Sequence, residues 1–121
     1  MSKDASISPQ LQEQLLRLQQ LQQTLQVIVS QKQQLELENS ENDRAIAELG
    51  KVTDDGVVFK SIGTLLIKSD KKKLIGELGE KKELTTTRLS VLAKQQSRTE
   101  ERLKELQQEI QAKIKPSTET T

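Results

Sequence analysis

Two stretches of this chain repeat their apolar side chains at alternating spacings of three and four residues. The first stretch begins at Leu11 and ends at Leu49, and the second begins at Ile75 and ends at Lys113, so the two have equal length. Such spacing places the repeated side chains on one face of an α-helix, where they pack against a second helix. The sequence therefore predicts a mostly α fold, a long antiparallel two-helix coiled coil whose chain ends meet at one tip.

Aliphatic residues occupy most positions of the two apolar stripes, and polar residues interrupt both of them. The stripe of the first helix consists of Leu11, Gln14, Leu18, Leu21, Leu25, Ile28, Lys32, Leu35, Asn39, Asn42, Ile46 and Leu49. The stripe of the second helix consists of Ile75, Leu78, Lys82, Thr85, Leu89, Leu92, Gln96, Thr99, Leu103, Leu106, Ile110 and Lys113. The many Gln, Glu and Lys residues elsewhere in the two helices are strong helix formers and agree with this assignment.

Local signals set the ends of both helices. Ser8 is a good N-cap and Pro9 suits the first helical position, whereas Gly50 favours a helix end. Pro116 ends the second helix because its ring cannot continue the helical hydrogen bonds. We therefore expect a single domain over residues 1–121. Its parts are an N-terminal tail (1–8), a first helix (9–49), a β-hairpin region (52–69), a second helix (70–115) and a disordered tail (116–121).

The segment between the helices carries two short runs of β-type residues, VVFK and TLLIK, which residues 61–63 separate. These runs predict a β-hairpin with apolar side chains on both faces. A lone two-stranded hairpin is marginally stable in water, so its faces and edges need cover from other subunits. We expect several hairpins to pair between subunits and to close into an intersubunit β-sheet or β-barrel. The predicted oligomerisation residues are Val57, Val58, Phe59, Leu65, Leu66 and Ile67.

The composition excludes most enzyme chemistry. The chain has no His and no Cys, so it lacks the usual ligands of zinc, haem and iron–sulfur clusters and the key groups of the common hydrolytic triads. Asp54 and Asp55 form an adjacent acidic pair, but they precede Gly56 and are typical of a turn. We expect a protein that is not an enzyme and that has no cofactor and no metal site.

Charge and hydropathy argue against two further classes of partner. The formal net charge is +1, and glutamates interleave the lysines at 81–82, which is typical of a solvated helix face. A nucleic-acid-binding arm that uses the lysines at 71–73 and 81–82 is therefore the less favoured alternative. No apolar run is long enough to span a bilayer, and the N-terminus lacks a signal-peptide pattern. We expect a cytoplasmic protein that binds neither nucleic acid nor membrane.

The order of a helix, a β-hairpin and an equal returning helix resembles prefoldin, and the single hairpin resembles its β-type subunit. Two segments carry the resemblance, the Gln-rich RLQQLQQTLQVIVSQKQQLELE of the first helix and the more specific VVFKSIGTLLIKSD at the hairpin. The resemblance covers essentially the whole chain. The short chain is more similar to archaeal members than to eukaryotic ones.

This resemblance implies a cytosolic, ATP-independent chaperone. The implied complex is an α2β4 hexamer, in which α-type and β-type subunits form a β-barrel platform that carries the coiled coils. The implied function is to capture unfolded client proteins at the coiled-coil tips and to deliver them to a group II chaperonin.

Apolar residues near both chain ends fit the client-binding tip that the resemblance implies. The predicted tip residues are Ile7, Leu11, Leu15, Leu16, Ile110 and Ile114. Leu11 and Ile110 also belong to the helix stripes. Leu15 and Ile114 flank the stripes, so the sequence leaves two roles open for them, widening the helix–helix contact or facing a client.

Three apolar residues far from the tip, Val27, Val29 and Leu37, also fall outside the stripes. They either add client surface along the coiled coil or pack on a neighbouring subunit, and the sequence does not choose between these roles. A structural coiled-coil adaptor or tether without client binding is the alternative to a chaperone, because heptads alone fit both. The apolar hairpin favours the chaperone subunit, since an adaptor hinge would be polar.

Overall fold

The computed structural model describes residues 7–114. The elements follow in the order α1 (Pro9–Gly50), β1 (Val58–Ile62), β2 (Leu65–Ser69) and α2 (Lys71–Ile114). Two long helices joined by an antiparallel hairpin are the predicted fold class, which is thereby confirmed for the single chain. The predicted disordered tail at 116–121 and most of the N-terminal tail lie outside the described residues.

Contacts group the described chain into two compact units. Residues 7–31 and 92–114 form one, here called the terminal unit, and residues 32–91 form the other, here called the hairpin unit. Each unit contains a part of α1 and a part of α2, and the hairpin unit also contains both strands.

Side-chain caps begin both helices. The Leu11 amide donates a hydrogen bond to Ser8 Oγ at 3.1 Å, which confirms Ser8 as the N-cap of α1. The Lys73 amide donates to Asp70 Oδ1 at 2.8 Å, so Asp70 caps α2. These bonds satisfy amides that have no partner inside the first turn of a helix.

The terminal unit has an apolar core along the predicted stripes. Ile28, Leu103, Leu106 and Ile110 are all at most 8% exposed. Thr99 is buried among the stripe residues of α2, and its hydroxyl donates a hydrogen bond to the Gln95 carbonyl at 2.8 Å. The two helices therefore bury aliphatic side chains against each other in this unit, as the heptad pattern predicts.

The hairpin unit buries mostly polar side chains between its helices. Asn42 is 5% exposed and Thr85 4% exposed, whereas Leu74 is the one buried apolar side chain among its described residues. Lys82 Nζ bonds Asp43 Oδ1 at 2.6 Å, and this ion pair joins α2 to α1. Leu74 lies one residue before the predicted stripe of the second helix, so the sequence did not place it in the core.

The strands β1 and β2 pair antiparallel from Val58 opposite Ser69 to Ile62 opposite Leu65. Gly63 and Thr64 make a two-residue turn, and Gly63 has a φ of +59°. The two-residue turns that are favoured in hairpins need a positive φ at their first central residue, and Gly adopts this conformation without steric cost. The prediction that Ser61 and Ile62 belong to the turn was wrong, because the tight turn lets both residues pair within β1.

No helix within residues 7–114 is long and apolar enough to cross a membrane. The same residues contain no group of three or more acidic side chains placed to hold a metal ion.

Candidate functional site

The terminal unit exposes apolar side chains near the ends of its two helices. Ile7 is 44% exposed, Leu15 36%, Leu16 57% and Ile114 61%. Ile7 precedes α1, Leu15 and Leu16 lie in its second turn, and Ile114 is the last residue of α2. Among the predicted tip residues, these four offer apolar surface to solvent, and we call them the exposed tip residues.

The other two predicted tip residues have little free surface. Ile110 is 5% exposed and packs in the core of the terminal unit, and Leu11 is half-buried. In this structure Ile110 therefore offers almost no surface to a client. The sequence placed it at both a core and a tip position, and the burial assigns it to the core.

A polar bridge joins the helices beside the exposed tip residues. Gln14, which is only 9% exposed, donates a hydrogen bond from Nε2 to Glu109 Oε1 at 3.1 Å. Its carbonyl oxygen Oε1 accepts a second bond from Lys113 Nζ at 2.9 Å. Both ends of one amide thus contact α2, and Gln14 is satisfied although it lies in an apolar stripe.

The hairpin exposes most of the predicted oligomerisation residues. Val57 is 62% exposed, Phe59 57%, Leu65 62%, Leu66 72% and Ile67 45%, whereas Val58 is half-buried. Strand alternation places Phe59 and Leu66 on one face of the hairpin and Leu65 and Ile67 on the other. Both faces of the hairpin are therefore apolar and uncovered within the described chain.

Both outer edges of the hairpin also lack a strand partner within residues 7–114. In a hairpin with a two-residue turn, the pair next to the turn is hydrogen-bonded, and the following pairs alternate. Backbone N–H and C=O groups of Phe59 and Ser61 on β1, and of Leu66 and Lys68 on β2, consequently face outward. Such edges accept a further strand from another chain.

Two lysines attach the hairpin region to the start of α2. Lys60 Nζ bonds Glu77 Oε1 at 2.8 Å, and this hydrogen bond to the Lys60 ammonium holds the pKa of Glu77 below its ordinary value. Lys71 Nζ donates to the Val52 carbonyl at 2.7 Å and lies 3.4 Å from Asp54 Oδ1. Lys71 belongs to the basic run considered for nucleic-acid binding, and here it has a structural role.

The structure shows further exposed apolar residues, some of which the sequence did not identify. Ile62, 49% exposed, adds to the hairpin surface, and Leu84 and Val91, 52% and 49% exposed, lie seven residues apart on one face of α2. Leu84 and Val91 are apolar but lie outside the predicted stripe, and this position is the sequence signal that would have indicated their exposure. Of the three residues with open roles, Val27 and Leu37 are 56% and 61% exposed, and Val29 is half-buried.

Comparisons with known proteins agree with this arrangement. A family model described as "Prefoldin subunit" matches residues 12–117. Prefoldin subunit beta of Pyrococcus furiosus is 42% identical over 113 residues, which cover 93% of this chain and 97% of the relative. Prefoldin subunit beta of Methanothrix thermoacetophila is 44% identical over 108 residues, which cover 89% of this chain and 90% of the relative.

A solved structure shows the same fold. The crystal structure of the prefoldin beta subunit from Thermococcus strain KS-1 superposes with a TM-score of 0.81 at 42% identity, covering 92% of this chain and 97% of that one. Prefoldin subunits are non-enzymatic components of a chaperone, which agrees with the prediction that the chain is not an enzyme. The matches in sequence and in structure extend over nearly the full chain, and the chain therefore belongs to the prefoldin family, as a subunit of its multi-subunit chaperone complex.

Proposed function

We propose that this subunit captures unfolded proteins, without ATP, on the exposed tip residues. In this proposal it acts in the cytoplasm within an α2β4 hexamer and delivers its clients to a group II chaperonin. The observation that carries the proposal is the uncovered apolar surface of Ile7, Leu15, Leu16 and Ile114 in a unit that already has an apolar core. Exposed apolar surface of this kind favours binding.

The energetics suit transient capture. Burial of one Leu or Ile side chain against a client contributes ~1.5–3 kcal/mol. A single tip of this size binds weakly, whereas several tips that hold one unfolded chain increase the affinity by multivalency. Apolar contacts are also non-directional, so they accept many client sequences.

The exposed apolar surface of the hairpin supports the proposal, because multivalency requires several subunits in one complex and such a surface favours assembly. Both hairpin faces are apolar, and both edges present unpaired backbone groups within the described chain. Closure of several hairpins into a β-barrel covers the edges and one apolar face at the same time. A coiled-coil adaptor has no use for the exposed tip residues, and this favours the chaperone over the adaptor.

The test measures protection of a client by the complex of this chain with an α-type partner from the same genome. Light scattering follows the aggregation of a diluted unfolded protein in the absence of nucleotide. The variant carries Leu15→Ser, Leu16→Ser and Ile114→Ser. The matched control carries Leu84→Ser and Val91→Ser, which remove similarly exposed apolar side chains from the hairpin unit.

We expect the tip variant to need at least tenfold more complex for half-maximal protection, since burial of even one of its three lost side chains contributes ~1.5–3 kcal/mol and 1.4 kcal/mol is a factor of ten. The control is expected to protect like the original complex. If the original complex assembles and protects none of several clients, the adaptor is the better explanation. Delivery is tested separately, by the yield of refolded client after a group II chaperonin and ATP are added.

A further inference from the structure

We propose that Gln14 is a positioning residue for the client-binding tip. Its side-chain amide ties α1 to two successive turns of α2 and thereby sets how the neighbouring Leu15, Leu16 and Ile114 are presented. This inference rests on the proposed capture of clients by those side chains. The inference explains why a polar residue is buried at a position where packing between the two helices requires only an apolar side chain.

The geometry of the bridge fixes the amide in one orientation. Gln14 Nε2 donates to the Glu109 carboxylate at 3.1 Å, and Gln14 Oε1 accepts from the Lys113 ammonium at 2.9 Å. A reversed amide would place its NH₂ group against the ammonium and its oxygen against the carboxylate. Both of those contacts are repulsive, so the two charged partners on α2 select one side-chain orientation.

An apolar residue at this position would pack but would not orient the helices. The neighbouring members of the α1 stripe are Leu11 and Leu18, and apolar contacts between such residues tolerate small rotations and shifts. Hydrogen bonds weaken steeply as their angles and distances change. Because Glu109 and Lys113 are one helical turn apart, a rotation or shift of α1 at Gln14 must distort at least one of the two bonds or move the Glu109 and Lys113 side chains with it.

The exposed tip residues adjoin this bridge along both helices. Leu15 and Leu16 follow Gln14 directly, and Ile114 follows Lys113. Ile110 lies between the two bridge partners on α2 and is 5% exposed. When the bridge is lost, α1 is free to rotate at this point, and because successive residues are about 100° apart around a helix, the directions in which Leu15 and Leu16 face a client change together.

The experiment compares three variants in the full complex with the α-type partner. Gln14→Leu removes both bonds and continues the apolar stripe. Gln14→Glu keeps the bond to Lys113 but places two carboxylates together. The exchange Gln14→Glu with Glu109→Gln restores both bonds at the same net charge, because a carboxylate at position 14 accepts from both Lys113 and the amide at 109. Gln12→Leu, at an exposed position of the same helix, makes the same substitution without removing the bridge.

Three measurements separate positioning from stability. The first is client protection, where Gln14→Leu and Gln14→Glu are expected to need about fivefold more complex and the exchange variant is expected to return to within about twofold of the original. The second is thermal unfolding, where Gln14→Leu is expected to be at least as stable as the original. The third is the distance between spin labels on Gln10→Cys and Ala112→Cys of this chain, which has no native Cys. The labelled chain is diluted with unlabelled chain and assembled with a Cys-free α-type partner, so that the distance within one subunit is measured.

We expect a narrow distance distribution in the original and exchange variants and a broader one in Gln14→Leu. Unchanged protection by Gln14→Leu, or an exchange variant that protects no better than Gln14→Glu, would overturn the inference. A distribution that stays narrow in Gln14→Leu overturns it as well. A complex that protects no client, but whose label distances respond to the variants as expected, contradicts the proposed capture and leaves Gln14 as a positioning residue of the helix ends.

Discussion

The terminal unit and the hairpin unit bury opposite kinds of side chains. In the terminal unit, Ile28, Leu103, Leu106 and Ile110 form an apolar core. In the hairpin unit, the buried residues are mainly polar, and large apolar side chains such as Phe59 remain exposed on the strands. The apolar stripe residues of the hairpin unit are only half-buried, so its helices gain less from packing than those of the terminal unit. The hairpin unit thus leaves more of its apolar surface uncovered within the described chain than the terminal unit does.

The two units also differ in whether their buried polar atoms have hydrogen-bond partners. In the terminal unit, Gln14 and Thr99 both have hydrogen-bond partners. In the hairpin unit, Asn39 Oδ1 and Asn42 Nδ2 are buried and have no partner among the described residues. An unpaired buried polar group costs about 1–3 kcal/mol. This difference predicts where substitutions weaken the protein and where they strengthen it.

The largest expected effect is the loss of assembly when a charge replaces an apolar residue of the hairpin. Phe59→Asp and Ile67→Asp each place a carboxylate on a surface that other hairpins would cover, and burial of an unpaired charge is prohibitive. We expect either variant to lower the mass of the complex, measured by light scattering after size-exclusion chromatography, while the helical circular dichroism persists. Thr64→Asp, in the turn, is the control and is expected to assemble. A native mass for both hairpin variants would show that the hairpin does not carry assembly.

The next effect is a loss of stability in the terminal unit. Leu106→Ala removes a side chain that is 6% exposed, and such substitutions cost about 2–5 kcal/mol in the free energy of unfolding. Leu16→Ala removes a side chain of the same type that is 57% exposed, so we expect a change within about 0.5 kcal/mol. Urea unfolding of the complex, followed by circular dichroism, measures both. Equal losses would mean that Leu16 is covered in the assembled protein.

A smaller effect of opposite sign is expected in the hairpin unit. Asn42→Leu replaces a buried amide whose Nδ2 has no partner with a residue that fits the apolar stripe, so we expect the free energy of unfolding to rise by about 1 kcal/mol. Thr99→Val in the terminal unit removes a satisfied hydroxyl and is expected to give no gain. Urea unfolding of the complex measures the free energy of unfolding of both variants. A loss of stability in Asn42→Leu would show that the amide has a partner in the assembled complex.

The heptad pattern predicted the helix contacts well because it depends on helix geometry alone. Every member of the α1 stripe is buried or half-buried, and on α2 only Lys82 and Lys113 are exposed. Those two lysines still contact α1, through Asp43 and Gln14. A long lysine side chain can cross the edge of a coiled coil while its ammonium remains in water, which explains why lysine occurs at stripe positions.

The sequence predicted less about the sites, since the roles of single residues depend on contacts between distant parts of the chain. No spacing rule indicates that Gln14 bonds Glu109 and Lys113, or that Asn39 and Asn42 retain unpaired atoms. The sequence predicted a turn at Ser61 and Ile62, because neither residue type distinguishes a turn from a strand. Gly63 allows a two-residue turn, and both residues therefore pair in β1. The exposure of Leu84 and Val91 could have been predicted, because both are apolar residues outside the stripe of the second helix. It indicates no particular partner.

The smallest expected effect concerns the ion pair that joins the hairpin to α2. Lys60 lowers the pKa of Glu77, so the folded state favours the ionised carboxylate. The resulting contribution to stability is complete above the ordinary glutamate pKa of about 4.3 and is lost as the pH falls through the lowered folded value. Carboxyl carbon NMR of the ¹³C-Glu-labelled chain in its complex measures the titration, and Glu77→Gln identifies the signal.

Lys60→Met separates the ion pair from the general charge of the hairpin unit. It keeps much of the apolar stem of the side chain and removes the ammonium that bonds Glu77. We expect the midpoint of the Glu77 titration to rise in this variant, whereas Lys51→Met, which removes a lysine that pairs with Glu48, leaves it in place. Because both partners of the Lys60–Glu77 pair are more than a third exposed, the effect on overall stability is expected to be small. An unchanged midpoint in Lys60→Met would mean that the hairpin and α2 do not hold this contact in solution.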